Sequence, residues 1–359
     1  MHEVSKKIQI SSSGGSYVVN LGSKFNPLDF RQNHVFIADD FFRELLSEVK
    51  SNCIFVEASE RNKTLESVNE ILTKLHGLGV QKGTHIVALG GGIIQDLATL
   101  ASSLYMRGLK WTYVPTTKMA QLDSCIGGKS SINLGGVKNI VGNIYPPSEV
   151  LIDESFEKTL TPEAISSGYL EAIKISYASG ASGFGEHLEM TKEYNNVSKL
   201  PYLPLCELVL SQKKRFVEED EFDSGIRQLL NFGHTFAHAI ESATHYRIQH
   251  GLAVGVGMMM AMNHPDSVIM ENEILLKKAI LNLLQFAGRE AYADLSKVEE
   301  KTFIGSFRND KKHSLATYNL ILPVLGGLEK KAYNRNSEVE KVLVEILHST
   351  SKELVDELW

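Results

Sequence analysis

The first 155 residues alternate short apolar runs with stretches of helical spacing, and this alternation restricts the fold more than any other feature. A strand or hairpin is predicted over residues 6–20. The further predicted elements are strands at His34–Asp39, Cys53–Glu57, Thr84–Leu89 and Trp111–Val114 and helices at Phe41–Lys50 and Leu65–Leu78. Strands that alternate with helices are typical of an α/β unit with a mainly parallel sheet.

The pattern changes near residue 155, where long helical segments replace the alternation. The predicted elements are helices at 162–179, 205–218, 227–242, 251–263, 269–287 and 337–357 and a short strand at Tyr318–Pro323. A chain of 359 residues is also long enough for two cores. We therefore predict an α/β N-terminal domain with a mainly parallel sheet, residues 1–157, and a largely α-helical C-terminal domain, residues 158–359.

The composition excludes several classes of protein. A formal net charge of −6 gives no support for nucleic-acid binding, and the widely spaced Cys53, Cys125 and Cys206 predict neither a disulfide framework nor a zinc ribbon. No apolar run approaches the roughly 20 residues that cross a bilayer. The first seven residues lack the apolar core of a secretory signal. We expect a cytoplasmic protein without a membrane segment.

A glycine triplet at residues 90–92 follows the predicted strand Thr84–Leu89 directly. Glycine lets a backbone approach a pyrophosphate closely, and the N–H groups at the start of a helix face an anion. The same pattern also occurs as a tight turn without a ligand, and it is not the Gly-x-Gly-x-x-Gly dinucleotide motif. Asp96 could accept a hydrogen bond from a ribose or from a local donor. Thr116 and Thr117 follow another strand, where open α/β sheets bind ligands.

Three residues of the second part are candidate metal ligands: Glu171, His234 and His250. Two imidazoles and one carboxylate leave an open coordination position on a divalent ion such as zinc, which is the arrangement of a catalytic site. His238 shares a helix face with His234, so a metal could take both. Taken alone, such a histidine pair is more often structural than ligating.

Basic residues form a second group of candidates. They are Arg107, Lys129, Lys138, Lys174, Arg227, Lys311 and Lys312. A single lysine is usually a solvated surface charge. Several of these cations are flanked by glycines or small residues, however, and such loops bring cations and backbone donors to a carboxylate or phosphate.

Taken together, these motifs resemble the 3-dehydroquinate synthase family and, more broadly, the sugar phosphate cyclases. The resemblance extends from about residue 57 to about residue 326. The motifs, in order, are Glu60-x-x-Lys63, Gly90-Gly-Gly-x-x-x-Asp96, Tyr105-x-Arg-Gly108, Pro115-Thr-Thr117, Asp123-Ser-x-x-Gly-Gly-Lys129, Lys138-Asn139, Glu171-x-x-Lys174, Arg227-x-x-x-Asn231-x-x-His234-x-x-x-His238, His250-Gly251 and Asp310-Lys-Lys312.

The resemblance implies roles for the matching positions. Zinc, cobalt or a similar divalent ion would be bound by Glu171, His234 and His250. The residues that would hold NAD are Glu60, Lys63, Gly90, Gly91, Gly92, Asp96, Thr116 and Thr117, with Asp123, Lys129 and Lys138 beside the cofactor. Substrate hydroxyls and carboxylate would be met by Asp123, Lys129, Asn139, Lys174 and Arg227. The phosphate pocket would comprise Arg107, Asn231, His238 and one of Lys311 and Lys312, with Lys129 and Asn139 close to it.

The resemblance also implies the reaction. A seven-carbon keto-acid phosphate, 3-deoxy-D-arabino-heptulosonate 7-phosphate, is oxidised at its C5 hydroxyl, loses phosphate, is reduced again and closes by aldol addition to 3-dehydroquinate. This is a shikimate-pathway step toward aromatic amino acids, without net redox change. A homodimer is expected on the same ground.

Three alternatives remain at this stage. They are a sugar phosphate cyclase with a different sugar phosphate, a metal- and NAD-dependent polyol dehydrogenase, and a catalytically silent binding protein. Net NADH production from a simple polyol would indicate the dehydrogenase, whereas failure to retain NAD and metal would indicate the silent protein.

Four positions depart from the usual pattern of the family. Leu252 replaces a glutamate that could orient a metal ligand, so metal affinity could fall. Lys118 places a charge beside the nucleotide segment, and Thr99 replaces a glycine near the expected nicotinamide. Ser130 is a mild exchange for threonine. These changes predict an altered substrate or a weaker enzyme.

Overall fold

The computed structural model describes residues 6–30, 33–135, 137–193 and 197–358. These residues form two compact units. The first extends to Thr159 and also includes Tyr202–Phe222, and the second comprises Leu160–Pro201 and the residues from Asp223 onwards. The division of function between residues 1–157 and 158–359 stays a prediction.

Eleven strands and ten α-helices lie within the described ranges. The strands are β1 (Lys6–Ser12), β2 (Gly15–Leu21), β3 (His34–Asp39), β4 (Cys53–Val56), β5 (His85–Gly90), β6 (Trp111–Pro115), β7 (Lys129–Leu134), β8 (Val137–Ile144), β9 (Glu149–Ile152), β10 (Thr317–Val324) and β11 (Gly327–Asn334). The helices are α1 (Leu65–Gly77), α2 (Gly92–Leu104), α3 (Pro162–Ala178), α4 (Gly180–Thr191), α5 (Tyr202–Glu219), α6 (His234–Ala243), α7 (His250–Met262), α8 (Glu271–Ala287), α9 (Glu300–Arg308) and α10 (Ser337–Leu358).

The first unit is built on a sheet with the strand order β1-β2-β9-β6-β5-β3-β4. Only the β1–β2 hairpin is antiparallel in this sheet, so the mainly parallel sheet is confirmed. One face of the sheet is buried by Phe36, Val87, Leu89 and Val114 together with Phe156. In open sheets of this kind, ligands bind beyond the carboxyl ends of the strands, where β5 leads into the glycine triplet.

The second unit consists mainly of helices that approach one another closely, which confirms the predicted helical class. A Cβ atom on Gly251 would lie 2.2 Å from the carbonyl oxygen of Ser167, and one on Gly257 would lie 2.2 Å from that of Gly233. Glycine is therefore needed where α7 passes α3 and the start of α6. An antiparallel hairpin, β10–β11, is also present. No helix of the described residues is long and apolar enough to cross a bilayer.

Two helix predictions were wrong. The segment Phe41–Lys50 contains short 3₁₀ turns instead of an α-helix, and Val49 has a non-helical φ of −116°. The segment 227–242 is divided at Gly233, which has a left-handed φ of 77°. A side chain at Gly233 would also collide with the backbone nitrogen of Met258, at 2.7 Å. The chain therefore forms a 3₁₀ segment, Ile226–Asn231, before α6 begins.

Candidate active site

Three potential metal ligands converge in the second unit. Glu171 lies within α3, whereas His234 and His250 are the first residues of α6 and α7. The Glu171 Oε1 atom lies 3.7 Å from His234 Nε2 and 3.6 Å from His250 Nε2. This oxygen is buried and has no hydrogen-bond donor among the described residues. Because a buried carboxylate oxygen without a partner is costly, the arrangement favours a cation between the three side chains.

Each of the two imidazoles is held through its second ring nitrogen. His250 Nδ1 lies 3.0 Å from Glu241 Oε2, and His234 Nδ1 lies 3.3 Å from the carbonyl oxygen of Phe232. Such contacts orient histidine ligands and leave Nε2 for the metal. Leu252 is fully buried. The loss of a glutamate there was expected to remove an orienting carboxylate, but Glu241 supplies one to His250.

The charges around the ligands act differently on the two imidazoles. Burial lowers the pKa of His234 well below its usual value, and the ammonium group of Lys174 lowers it further. Burial also lowers the pKa of His250, but the carboxylates of Glu241 and Glu171 outweigh this effect, so the net pKa is raised. His234 therefore accepts a cation without first losing a proton, whereas at His250 a cation competes with a proton.

An anion pocket candidate lies in the same unit. His238 Nδ1 lies 2.7 Å from Asp310 Oδ2, and Asp310 Oδ1 accepts a hydrogen bond of 2.8 Å from the backbone N–H of Lys312. The Lys312 Nζ atom is buried without a hydrogen-bond partner among the described residues. Burial lowers its pKa to about 8. Lys311 is exposed, so of the two lysines only Lys312 presents a buried, unsatisfied cation.

The remaining predicted residues of this unit are close in sequence to the candidate ligands. Lys174 is buried and its Nζ contacts Glu171 Oε2 on the same helix. Arg227 and Asn231 lie on the 3₁₀ segment that leads through Gly233 into α6, and Arg227 is buried.

In the first unit, the glycine triplet joins β5 to α2. A Cβ atom on Gly90 would lie 2.5 Å from the Ile94 side chain, and one on Gly91 would lie 2.9 Å from Thr117 Cγ2. These glycines are therefore required by packing. Gly91 is the N-cap residue of α2 and has no side chain. The first backbone N–H groups of the helix therefore receive no capping hydrogen bond from a side chain. Thr116 is buried next to the triplet and donates its N–H to the Gly90 carbonyl at 3.1 Å.

A polar network brings several predicted cofactor residues together. Lys63 Nζ lies 2.6 Å from Asp96 Oδ2 and donates to Asn139 Oδ1 at 2.7 Å. The other oxygen of Asp96 accepts from the backbone N–H of Ser131 at 2.9 Å. Burial raises the pKa of Asp96, and Lys63 offsets part of this effect. Asp96 therefore binds local donors.

Glu60 belongs to the same region. Its Oε1 atom lies 3.4 Å from Lys138 Nζ and accepts a hydrogen bond from Asn133 at 2.9 Å. The side chains of Glu60, Lys63, Asp96, Lys138 and Asn139 therefore lie in one neighbourhood of the first unit, and their assignment to cofactor and substrate stays a prediction.

Asp123 has a partner that sequence reasoning missed. Lys213, on α5, contacts Asp123 Oδ1 at 2.6 Å and also donates to the carbonyl oxygens of Asp123 and Ile126. The lysine is 6% exposed. Lys213 lies on the buried face of α5 with Cys206, Val209 and Phe216. A lysine at helical spacing within an apolar stripe is the sequence signal that could have indicated this role. Lys129 and Arg107 are both exposed, and Arg107 adopts a left-handed φ of 60°.

Like Leu252, two further unusual residues are fully buried. Lys118 is 0% exposed, its Nζ atom lies 2.5 Å from Glu157 Oε2, and it lies 3.0 Å from the ring centroid of Tyr202. The ammonium group is therefore paired with a carboxylate and packed on an aromatic ring inside the first unit. Thr99 is also 0% exposed, and its hydroxyl has no hydrogen-bond partner among the described residues.

Comparisons with known proteins identify the family. Residues 53–167 match the model of the 3-dehydroquinate synthase N-terminal domain, and residues 168–313 match that of the C-terminal domain. The 3-dehydroquinate synthase of Blochmanniella floridana is 37% identical, over 81% of this chain and 80% of that protein.

Two solved structures share the fold. The 2-deoxy-scyllo-inosose synthase complexed with carbaglucose-6-phosphate, NAD⁺ and Co²⁺ gives a TM-score of 0.76 at 21% identity, over 96% of this chain and 99% of that one. The 2-epi-5-epi-valiolone synthase of Streptomyces hygroscopicus, with NAD⁺ and Zn²⁺ bound, gives a TM-score of 0.78 at 21% identity. This match covers 94% of this chain and 97% of that one. The two family models together match more than two thirds of the sequence, and the chain therefore belongs to the 3-dehydroquinate synthase family, whose members are enzymes of the sugar phosphate cyclase type.

Proposed function

We propose that this protein converts 3-deoxy-D-arabino-heptulosonate 7-phosphate to 3-dehydroquinate and phosphate, as an NAD- and divalent-metal-dependent lyase. The observation that carries the proposal is the convergence of Glu171, His234 and His250, whose donor atoms lie within 4.8 Å of one another. The same three residues are those that the resemblance assigns to the metal.

The donor set fits a divalent cation. Glu171 offers a buried oxygen without another partner, and both histidines present Nε2 toward it. We propose zinc or cobalt, since related cyclases are recorded with Zn²⁺ and Co²⁺. When bound, the ion supplies Lewis-acid stabilisation of developing charge on substrate oxygens, worth several kcal/mol.

The glycine triplet and the network around Lys63 are proposed to hold NAD, which when bound supplies a reversible hydride acceptor. The uncapped start of α2 would face the pyrophosphate. Glu60, Lys63, Asp96, Lys138 and Thr117 would orient the rest of the dinucleotide. Because Asp96 is already engaged by Lys63 and Ser131, we assign it the task of fixing Lys63 and the β7 backbone beside the cofactor.

The cationic residues are proposed to orient the substrate. Lys312 would bind phosphate, because a buried ammonium group without a partner gains most from an anion. Lys174 and Arg227, both buried, would bind the carboxylate and hydroxyls. Fixing these groups in one orientation can contribute roughly 7–11 kcal/mol to catalysis.

The other assignments stay as the resemblance gives them. Substrate contacts are proposed for Arg107, Asp123, Lys129, Lys138, Asn139, Asn231 and His238. We further propose a cytoplasmic homodimer.

The family membership favours this reaction over the alternatives. A cyclase for another sugar phosphate shares the fold, but the curated relatives that match at 33–37% identity are 3-dehydroquinate synthases. A polyol dehydrogenase is supported only by fold, since an example, a probable glycerol dehydrogenase from Sinorhizobium meliloti, is 11% identical with a TM-score of 0.58.

The decisive experiment supplies purified protein with NAD, zinc or cobalt, and the heptulosonate phosphate. We expect equimolar phosphate and 3-dehydroquinate without net NADH. His250→Ala should lose bound metal and activity together. Net NADH from a polyol would favour the dehydrogenase, and phosphate release without the carbocycle would refute the proposed reaction.

A further inference from the structure

Asn133 lies at an irregularity of the β7–β8 hairpin. The register of the two strands shifts between Ile132 and Leu134, so the segment 138–140 of β8 lies opposite Asn133 alone. Such a bulge leaves backbone groups without a ladder partner and changes the direction of the side chains that it carries. Here it carries Asn139, which adopts a left-handed φ of 54°. The hairpin therefore needs a further contact that holds Asn139 in this conformation.

The side chain of Asn133 supplies that contact and also binds the segment before α1. Its Oδ1 atom accepts a hydrogen bond of 3.0 Å from the backbone N–H of Asn139. Its Nδ2 atom donates to Glu60 Oε1 at 2.9 Å and to the Glu60 carbonyl oxygen at 3.2 Å. The backbone N–H of Asn133 donates to the carbonyl oxygen of Lys63 at 2.8 Å. A carboxamide can serve both sides because it carries an acceptor and two donors.

We propose that Asn133 is a positioning residue, whose one side chain fixes Glu60 for the cofactor and Asn139 for the substrate. The inference rests on the proposed function, in which Glu60 binds NAD and Asn139 binds the substrate. Asn133 itself is not among the residues to which the resemblance assigns a role.

The contact with Glu60 selects one orientation of its carboxylate. The Oε1 atom accepts from Asn133 and lies 3.4 Å from Lys138 Nζ, so Oε2 is the oxygen that stays available to a ligand. The Glu60 side chain is 34% exposed, and without Asn133 it could rotate into solvent. NAD would then have to order this side chain on binding, which costs affinity.

The contact with Asn139 acts on the substrate side. Asn139 Oδ1 accepts from Lys63 Nζ at 2.7 Å and from Ser131 Oγ at 3.0 Å. Both contacts depend on the left-handed backbone conformation of Asn139, whose N–H is held by Asn133. Loss of the Asn133 side chain should therefore displace Asn139 and loosen its contact with Lys63.

The first test measures NAD binding to the zinc-saturated protein by calorimetry at pH 8 and pH 5.5. Asn133→Asp keeps the acceptor for Asn139, but at pH 8 it sets a second carboxylate against Glu60. The other charged groups of this region are Lys138 and the Lys63–Asp96 pair. We expect Asn133→Ala and Asn133→Asp to weaken NAD binding about tenfold or more at pH 8, because each loses a hydrogen bond to a charged group.

The pH dependence separates this contact from a general loss of structure. Two carboxyl groups in contact share a proton at a raised pKa, so at pH 5.5 the introduced carboxyl group can donate to Glu60 again. Relative to the wild type at the same pH, Asn133→Asp should then bind NAD less than threefold more weakly, whereas Asn133→Ala should stay about tenfold weaker. The same deficit of Asn133→Asp at both pH values, or wild-type affinity in Asn133→Ala, overturns the contact with Glu60 as a positioning device.

Asn143→Ala is the matched control. Asn143 lies on the same hairpin and binds Ser130 and Ser103 through its side chain, at 2.7 and 2.6 Å. We expect its removal to change NAD affinity less than threefold. An equal loss of NAD affinity in Asn143→Ala and Asn133→Ala would show a general effect of hairpin stability and overturn the proposal.

The second test concerns the substrate side. At saturating NAD, Asn133→Ala should raise the KM for the heptulosonate phosphate at least fivefold, whereas Asn133→Asp, which still accepts from the Asn139 N–H, should raise it less than threefold. An unchanged KM in Asn133→Ala overturns the positioning of Asn139. A wild type that does not bind NAD overturns the proposed function together with this inference, whereas a wild type that binds NAD beside unaffected variants overturns this inference alone.

Discussion

Lys312 offers a prediction in which stability and ligand binding change in opposite directions. Burial lowers its pKa from 10.5 to about 8, in spite of the nearby Asp310 carboxylate. A shift of this size corresponds to about 3 kcal/mol of unfavourable free energy for the charged form. Lys312→Met keeps the length and apolar stem of the side chain and removes the charge. We therefore expect the variant to be more stable than the wild type at pH 7, by about 1–3 kcal/mol.

The pH dependence of this difference has a defined sign. The folded-state pKa of Lys312 is lower than the unfolded one, so between pH 8 and 10.5 the unfolded wild type binds more protons. The contribution of Lys312 to the free energy of unfolding of the wild type therefore rises with pH across that window. The free energy of unfolding of Lys312→Met should exceed that of the wild type by the full amount below pH 8, and this difference should vanish toward pH 10.5.

Urea unfolding of both metal-loaded proteins at pH 7 and at pH 9.5, with and without phosphate, measures this effect. Phosphate should stabilise the wild type at pH 7 and should stabilise Lys312→Met much less. Lys311→Met, which removes an exposed charge from the adjacent residue, is the matched control and should change stability by less than about 0.5 kcal/mol. A variant that is less stable than the wild type at pH 7 without phosphate would contradict a desolvated cation at Lys312.

Three further changes test other parts of the molecule. Glu171→Gln should reduce metal affinity by more than a hundredfold, as measured by competition with a chelator, and an unchanged affinity would exclude Glu171 as a ligand. Glu241→Gln should weaken metal binding about 10–100-fold through His250 while the fold is retained, and circular dichroism with the same competition assay checks both points. Lys213→Met should destabilise the protein by about 2 kcal/mol in urea because it removes the buried ammonium group that pairs with the Asp123 carboxylate; a change below about 0.5 kcal/mol would show that the ion pair contributes nothing.

Local sequence patterns predicted the elements whose signal is local. The strands β3, β5 and β6 are short apolar runs with both faces covered, and α1 has a clear amphipathic stripe, so each was found close to its observed bounds. Phe41–Lys50 failed because its apolar spacing suits a helix, whereas the chain turns in short 3₁₀ steps.

Only the candidate-site residues that belong to recognisable sequence motifs could be predicted. The candidate ligands Glu171, His234 and His250 lie in distinctive local sequences. The residues that orient them are distant in sequence or belong to common residue types. Glu241 is one of many glutamates on helices, and Asp310 lies 72 residues from His238. Only the packing of the chain shows which carboxylate orients which imidazole.

The return of α5 to the first unit has a consequence for synthesis and engineering. The chain leaves this unit after Thr159 and comes back at Tyr202, where the tyrosine hydroxyl donates to Gln121 and where Lys213 later reaches Asp123. Translation must therefore reach residue 222 before every segment of the first unit has been synthesised. A fragment truncated at the boundary between the two family models would lack α5, which packs against β1 and the Ala120–Ser124 segment. We therefore expect an isolated half to require this helix by fusion or as a separate peptide.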